Sequence, residues 1–144
     1  MGQRTEIDRW ILSELNSLIK VVDSAYEEYE PTRAARAISE FVQENLSNWY
    51  VRLCRRRFWK GEYAADKIAA YQTLYTCLDV VAKLSAPISP FFMDRLYLDL
   101  NKATVKKGFE SVHLADFPVA DESVIDEGLE VKMHKAQIIS SLVL

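Results

Sequence analysis

Apolar residues recur at spacings of three and four along most of this chain, and this repeat places them on one face of an α-helix. The stripe in the first thirty residues is Ile11, Leu15, Leu18, Val22, Ala25 and Tyr29. The 144 residues include only four glycines and four prolines, too few for a β-sandwich or a disordered chain. The chain is therefore predicted to be an all-α helical bundle built around one core.

Breaks in the apolar pattern divide the chain into about five predicted helices. Pro31 ends the first helix, Gly61 ends the second, and the sequence Ala-Pro-Ile-Ser-Pro at residues 86–90 separates the third from the fourth. Thr5 or Asp8 can cap the first helix. The predicted helices cover residues 8–29, 32–60, 64–85, 90–101 and 121–144, and residues 102–120 are expected to be irregular.

The second predicted helix changes character along its length. Its apolar stripe runs to Trp49, and the same face, extended with uniform α-helical geometry, then meets Arg52 and Arg56. This pattern indicates a helix whose last turns extend beyond the core and lie at a rim or groove. A kink at residues 45–48 that rotates the face is the alternative interpretation.

The ends of the chain suggest an excised piece of a longer protein. Residues 1–4 are expected to be a linker or an expression remnant, and residues 5–144 a single helical domain. The last helix is still apolar and periodic at Leu144, so the domain is expected to be cut within it. There is no run of about 18 apolar residues and no signal peptide, so neither a membrane location nor secretion is expected.

The two cysteines and two histidines do not form a metal-ligand pattern. Cys54 and Cys77 are not spaced as in zinc sites, and two buried thiols in a reducing cytoplasm are expected. His113 and His134 are interpreted as structural or exposed residues. No metal site is therefore predicted.

A basic segment stands out in an otherwise acidic chain of net charge −3. Residues 48–60, Asn-Trp-Tyr-Val-Arg-Leu-Cys-Arg-Arg-Arg-Phe-Trp-Lys, hold five of the 18 basic residues and no acidic one. On a helix, one face carries Arg52, Arg55, Arg56 and Trp59 with Lys60 at its edge, and the opposite face carries Tyr50, Cys54 and Phe58. A concentrated basic face with an exposed aromatic ring is typical of a nucleic-acid site, although a merely solvated face has the same composition.

Motifs of independent catalysis are missing from the sequence. It contains no GxxxxGK[ST] loop, no GxGxxG, no HExxH and no GxSxG. No catalytic residue is therefore predicted, and the chain is interpreted as a helical binding module, non-catalytic by itself.

Two segments resemble the anticodon-binding domain of class Ia aminoacyl-tRNA synthetases. They are Asp-Arg-Trp-Ile-Leu at residues 8–12 and the Asn-Trp-Tyr-Val-Arg segment at residues 48–52 with its basic continuation to Gly61. The Arg-Arg-Arg-Phe-Trp continuation is most similar to isoleucyl-tRNA synthetases, and residues 86–91 and 111–118 are similar to the same family. The resemblance covers residues 5–144.

The resemblance implies a helical bundle appended to a Rossmann catalytic domain. The whole enzyme would attach isoleucine to its tRNA with ATP, whereas this piece lacks the family's catalytic signatures and is expected to hold no cofactor. Zinc would belong to a C-terminal module found in many bacterial members. The implied partners are isoleucine tRNA and the parent catalytic domain, and the expected state is a cytoplasmic monomer.

The resemblance also implies roles for single residues. Arg52, Arg55 and Arg56 would contact phosphates of the anticodon stem-loop with Lys60 close by, and Trp59 would stack on an unpaired base. Arg57 points elsewhere on the helix and is expected to serve an intramolecular carboxylate. Trp10, Trp49, Tyr50 and Phe58 are assigned to packing. Lys102, Lys106 and Lys107 form a weaker second tRNA-binding candidate.

Alternatives remain open at this point. The chain could be a structural module whose arginines dock onto the catalytic body of the parent enzyme. It could also be the anticodon-binding domain of a related valyl-, leucyl- or methionyl-tRNA synthetase. A general protein–protein adaptor is disfavoured, because the sequence pattern predicts no exposed apolar groove.

Overall fold

The computed structural model describes residues 4–59, 64–104 and 108–143. Its α-helices are α1 (Glu6–Glu27), α2 (Pro31–Glu40), α3 (Arg52–Trp59), α4 (Ala65–Ser85), α5 (Pro90–Thr104) and α6 (Glu127–Val143). A π-helical segment, Phe41–Val51, joins α2 to α3, and two short 3₁₀ turns lie at Val112–Leu114 and Glu122–Val124. These described residues contain no β-strand, so the all-α prediction is confirmed. None of the described helices is long and apolar enough to cross a membrane.

Helix α1 is the centre of the bundle and packs against α2, the π-helical segment, α4 and α6. Its predicted stripe is buried from Ile11 to Ala25, and Trp10, Ile11, Leu15 and Val22 are almost fully excluded from solvent. The prediction is wrong for Tyr29, the last residue of that stripe, which is 92% exposed beyond the end of the helix. The predicted role of Trp10 as a packing anchor is confirmed by its complete burial in the core, and its Nε1 donates to Glu14 at 3.0 Å. Burial of this stripe, rather than helix propensity alone, holds α1 in place.

Helix α1 ends where the chain adopts a left-handed turn. Tyr29 has a φ of 57°, and the Glu30 amide donates to the Ala25 carbonyl at 2.7 Å. Pro31 then occupies the first position of α2, where its missing N–H costs nothing. The predicted break at Pro31 is confirmed, and the regular helix ends four residues before it, at Glu27.

The π-helical segment corrects the uniform helix predicted for residues 32–60. The helical run is continuous, but its buried residues Phe41 and Leu46 are five apart, after which Tyr50 and Cys54 follow at spacings of four. Hydrogen bonds that span five residues instead of four rotate the face on every turn. The core face therefore continues through Tyr50 and Cys54, and the predicted continuation from Trp49 to Arg52 and Arg56 is wrong. The rotated-face alternative describes the helix better, although the change begins at Phe41 rather than near residue 45.

Within residues 108–126, the connection between α5 and α6 is irregular apart from the two 3₁₀ turns, largely as predicted, and polar contacts hold it to the helices. The Asp94 carboxylate accepts from the Ser111 hydroxyl at 2.7 Å and from the Val112 amide at 2.8 Å. Farther along, the Asp121 amide donates to the Asn16 side chain at 2.8 Å. Helix α6 begins at Glu127, later than the predicted residues 121–124, because those residues form a separate 3₁₀ turn.

Both cysteines are buried free thiols, as predicted. Cys54 lies on the inward face of α3, and Cys77 lies in the interior of α4. His113 and His134 are both exposed, which is one of the two placements predicted for them.

Candidate nucleic-acid interface

The outward face of α3 carries the predicted basic residues. Arg52, Arg55 and Arg56 are exposed, and Trp59 is 81% exposed at the last position of the helix. Within residues 4–59, 64–104 and 108–143, none of these three guanidinium groups has a carboxylate or hydrogen-bond partner. Their charges and donors are therefore available to an anionic ligand.

The inward face of α3 is packed, as the helical wheel predicts. Tyr50 and Cys54 are buried. The half-buried Phe58 ring lies between the rings of Tyr50 and Tyr71, with centroids 6.5 and 5.1 Å away in edge-on geometry. Trp49 is half-buried and packs against the core. The packing roles predicted for Trp49, Tyr50 and Phe58 are therefore confirmed.

Arg57 pairs with carboxylates inside the protein, as predicted. It donates from Nη1 and Nη2 to the two carboxylate oxygens of Asp8, at 2.8 Å each. Its Nε donates to Asp66 at 2.9 Å, and its Nη2 lies 2.7 Å from the other oxygen of that carboxylate. The side chain is only 15% exposed. Arg57 thus joins α3 to the first turns of α1 and α4.

Asp8 is the hub of this buried network. It is fully excluded from solvent and also accepts from the Tyr50 hydroxyl at 2.7 Å and from the Thr5 amide and hydroxyl at 3.1 and 2.8 Å. Burial alone would raise the pKa of Asp8, but the hydrogen bonds from Arg57, Tyr50 and Thr5 outweigh it and lower the pKa to about 2. Burial next to this carboxylate raises the pKa of the Tyr50 hydroxyl. At neutral pH the network is a charged aspartate held by a charged arginine and a neutral tyrosine.

The lysines of the prediction are only partly within the described structure. Lys60, Lys106 and Lys107 lie outside the described residues. Lys102 is exposed in the last turn of α5. Its assignment to a second tRNA-binding surface therefore remains a prediction.

Two further arginines lie at the end of the bundle where α1 begins. Arg4 and Arg9 are exposed and line a cavity of about 970 Å³ between α1, the start of α4 and residues 123–127. The Asp8–Arg57 contact brings the start of α1 next to the end of α3, so these arginines share one end of the bundle with the basic face. Sequence reasoning missed them, although Arg9 directly follows Asp8 in the motif that carries the family resemblance.

An apolar groove corrects one expectation from the sequence. It has a volume of about 470 Å³ between α2, α4 and the start of α5, and Ile38, Val81, Ile88 and Phe92 are among its lining residues. Phe91, next to it, is 90% exposed. The expectation of no exposed apolar groove is wrong, because the groove forms only when three helices are brought together.

The part of the chain that the structure describes contains no cluster of side chains that could bind a metal ion. There, no three side chains of histidine, cysteine, aspartate or glutamate are placed to share an ion. The chemistry that the exposed residues do offer is electrostatic binding of phosphate and stacking on an aromatic ring.

Comparison with known proteins agrees with this geometry. Residues 8–143 match the family model described as the anticodon-binding domain of tRNA ligase, and the chain belongs to that family. Its relatives include isoleucine–tRNA ligases. The protein from Cytophaga hutchinsonii is 65% identical over 143 residues, which are 99% of this chain and 13% of that protein. The one from Bacteroides thetaiotaomicron is 62% identical over 144 residues, 100% and 12% of the two chains.

A more distant relative gives the same result. The isoleucine–tRNA ligase of Thermus thermophilus is 50% identical over 132 residues, which are 92% of this chain and 13% of that protein. The chain thus spans only 12 to 13% of the length of these three relatives. The predicted resemblance to anticodon-binding domains is confirmed.

Proposed function

We propose that this chain binds the anticodon stem-loop of isoleucine tRNA as one module of an isoleucine–tRNA ligase. The observation that carries the proposal is the outward face of α3, where three arginines without partners among the described residues stand beside a largely exposed tryptophan. Arg52, Arg55 and Arg56 bind backbone phosphates, and Trp59 stacks on an unpaired base of the loop. Lys60 belongs to the same contact, and Lys102, Lys106 and Lys107 form a weaker second contact.

A local concentration of positive charge would allow this acidic protein to bind RNA. The formal net charge of the chain is −3. The three outward arginines contribute +3, so the rest of the chain carries −6. The surrounding acidic surface repels RNA elsewhere, and the basic face attracts it. Arg4 and Arg9, at the same end of the bundle, add positive charge where the RNA would lie.

The activity of the whole enzyme belongs to residues outside this chain. The parent protein attaches isoleucine to its tRNA with ATP in a catalytic domain, and zinc, where it is used, belongs to another module. This piece holds no cofactor and contributes tRNA binding and contact with the catalytic domain. We propose a cytoplasmic monomer. Isoleucine is preferred over valine, leucine or methionine because the relatives described above are isoleucine–tRNA ligases.

The test is tRNA binding by a variant in which Arg52, Arg55 and Arg56 are all replaced by alanine. Fluorescence anisotropy with isoleucine tRNA should show weaker binding and a log–log salt slope reduced by up to about 3 × 0.7–0.9. Circular dichroism confirms that the variant is folded. If the folded variant binds with unchanged affinity and salt slope, the basic face is not the RNA site.

Binding of a non-cognate tRNA distinguishes recognition of the bases from sequence-independent binding of the phosphates. Binding that favours isoleucine tRNA supports base recognition next to the phosphate contacts, whereas equal binding of both RNAs indicates a phosphate clamp without readout. The competing proposal is that the arginines dock onto the catalytic body of the parent enzyme. In that case the same triple variant loosens domain packing in the parent enzyme and leaves the RNA affinity of this piece unaltered.

A further inference from the structure

Arg57 lies in the middle of the basic segment, yet its donors all point into the protein. Nε donates to Asp66, Nη1 donates to Asp8, and Nη2 donates to Asp8 and to the Asp66 carbonyl at 3.1 Å. Nη1 also lies 3.3 Å from the Thr5 hydroxyl. Arginine has five N–H donors in a fixed planar arrangement, so this side chain has no free edge for a phosphate.

The same carboxylate receives a second contact from the same helical run. Tyr50 and Arg57 are seven residues apart, close to two helical turns, and both donate to Asp8. Because Tyr50 and Arg57 lie on the same face of the helix and both bind Asp8, they set the position of α3 and its rotation about its own axis. Arg55 and Trp59 are then about 160° away from Arg57 around the helix, facing solvent.

The preceding π-helical segment makes such a lock necessary. Its wider turns rotate the helix face before α3 begins, so the direction of α3 is not determined by α2 alone. Helix α3 itself is short, with eight residues, and Cys54 is its only buried residue. A short helix with so little burial needs another contact to hold it in one orientation.

We propose that Asp8, Tyr50 and Arg57 form a positioning network that sets the orientation of the basic face, and that Arg57 itself does not bind RNA. This inference rests on the proposed function. Asp8 is the anchor on α1, and Arg57 and Tyr50 transmit its position to α3. Asp66 holds the far edge of the guanidinium and ties α4 to the same point.

The decisive variant is Asp8→Asn. It removes a negative charge near the proposed RNA site, so electrostatics alone would strengthen tRNA binding. The positioning network predicts the opposite, a weakening of roughly tenfold, because the amide has one acceptor oxygen and cannot accept from both Nη groups of Arg57 and from the Tyr50 hydroxyl as the carboxylate does. Its salt slope should also fall, although no cation has been removed, because several phosphate contacts are displaced at once.

The experiment is a double-mutant cycle in isoleucine tRNA binding with Asp8→Asn, Arg57→Gln and the double variant. Anisotropy is measured over a salt series at a temperature where circular dichroism shows each variant to be folded. Both single variants should bind about tenfold more weakly, and the double variant should be no weaker than either. Asp66→Asn, which leaves the Asp8 contacts in place, is the matched control and should change affinity less.

Two results would overturn the inference. If Arg57→Gln alone weakens binding while Asp8→Asn binds as well as the wild type or better, Arg57 contacts the RNA directly. If both folded variants bind like the wild type, the network contributes only to stability. Failure of the proposed function appears differently, since the Arg52, Arg55 and Arg56 triple variant would then bind tRNA as the wild type does.

Discussion

The two faces of α3 use the same residue type for opposite purposes. On the outward face, Arg55 and Arg56 are exposed and have no partner among the described residues. Their neighbour Arg57 is turned inward and bonded to two carboxylates. The difference shows that position in a basic run says little about role. The 100° step between consecutive helical residues decides which arginine meets a buried carboxylate and which meets solvent.

The largest contrast between the faces should appear in stability. Arg57→Ala leaves Asp8 as a buried charge without its cation and is expected to lower the free energy of unfolding by about 3–5 kcal/mol. Arg56→Ala removes an exposed side chain and should change it by less than about 0.5 kcal/mol. Urea unfolding of both variants at neutral pH measures the difference. Equal losses in the two neighbours would remove the distinction between the faces.

The outward face should respond in binding instead. Trp59→Ala is expected to weaken tRNA binding by between about 1 and 3 kcal/mol, the range for one base stacked on an aromatic ring. Stability should hardly change, because the ring is 81% exposed. Trp59→Phe keeps an aromatic surface and should retain most of the affinity. Anisotropy and urea unfolding of the same preparations give both values. Loss of stability without loss of binding would assign Trp59 to packing.

The charge on the inward face should appear as acid sensitivity. The pKa of Asp8 is lowered to about 2 in the folded state, below its ordinary value of 3.8. A group with a lowered pKa stabilises the fold above its unfolded pKa, and this stabilisation is lost as pH falls through the folded pKa. About 2 kcal/mol should therefore be lost between about pH 4 and pH 2. Urea unfolding over this range, with Asp8→Asn as control, should show a smaller loss in the variant. If the free energy of unfolding falls equally with pH in the wild type and in Asp8→Asn, Asp8 is not the source of the acid sensitivity.

Local patterns in the sequence predict most of the helices and the division of α3 into two faces. The stripe on α1 and the breaks at Pro31 and residues 86–90 depend on periodicity and backbone chemistry within a few residues. The split between Arg55 and Tyr50 holds because the segment from Tyr50 to Trp59 keeps nearly α-helical spacing. These features need no knowledge of how the helices meet.

Contacts between distant residues explain what the sequence does not predict. The Arg57–Asp8 pair joins residues 49 apart, and the apolar groove needs α2, α4 and α5 together. The π-helical segment is visible only as the five-residue spacing between the buried Phe41 and Leu46. The four-residue spacing between Val42 and Leu46 fits an ordinary α-helical stripe and hides it. For α6, Asp121 and Asp126 are both plausible caps by residue type. The Ser13 hydroxyl accepts from the Asp126 amide at 2.7 Å, and this tertiary contact fixes the later start.

The smallest expected effect separates pairing from burial. Arg95 is paired with Asp99 at 2.8 Å, as close as Arg57 is to Asp8, but both members of this pair are exposed to solvent. Arg95→Ala should therefore lower the free energy of unfolding far less than Arg57→Ala does, because solvent screens an exposed pair. Urea unfolding beside Arg57→Ala measures both pairs under the same conditions, and the Arg95 loss should shrink further in 1 M salt. A loss near that of Arg57→Ala would mean that pairing itself, rather than the burial of Asp8, gives the inward face of α3 its stability.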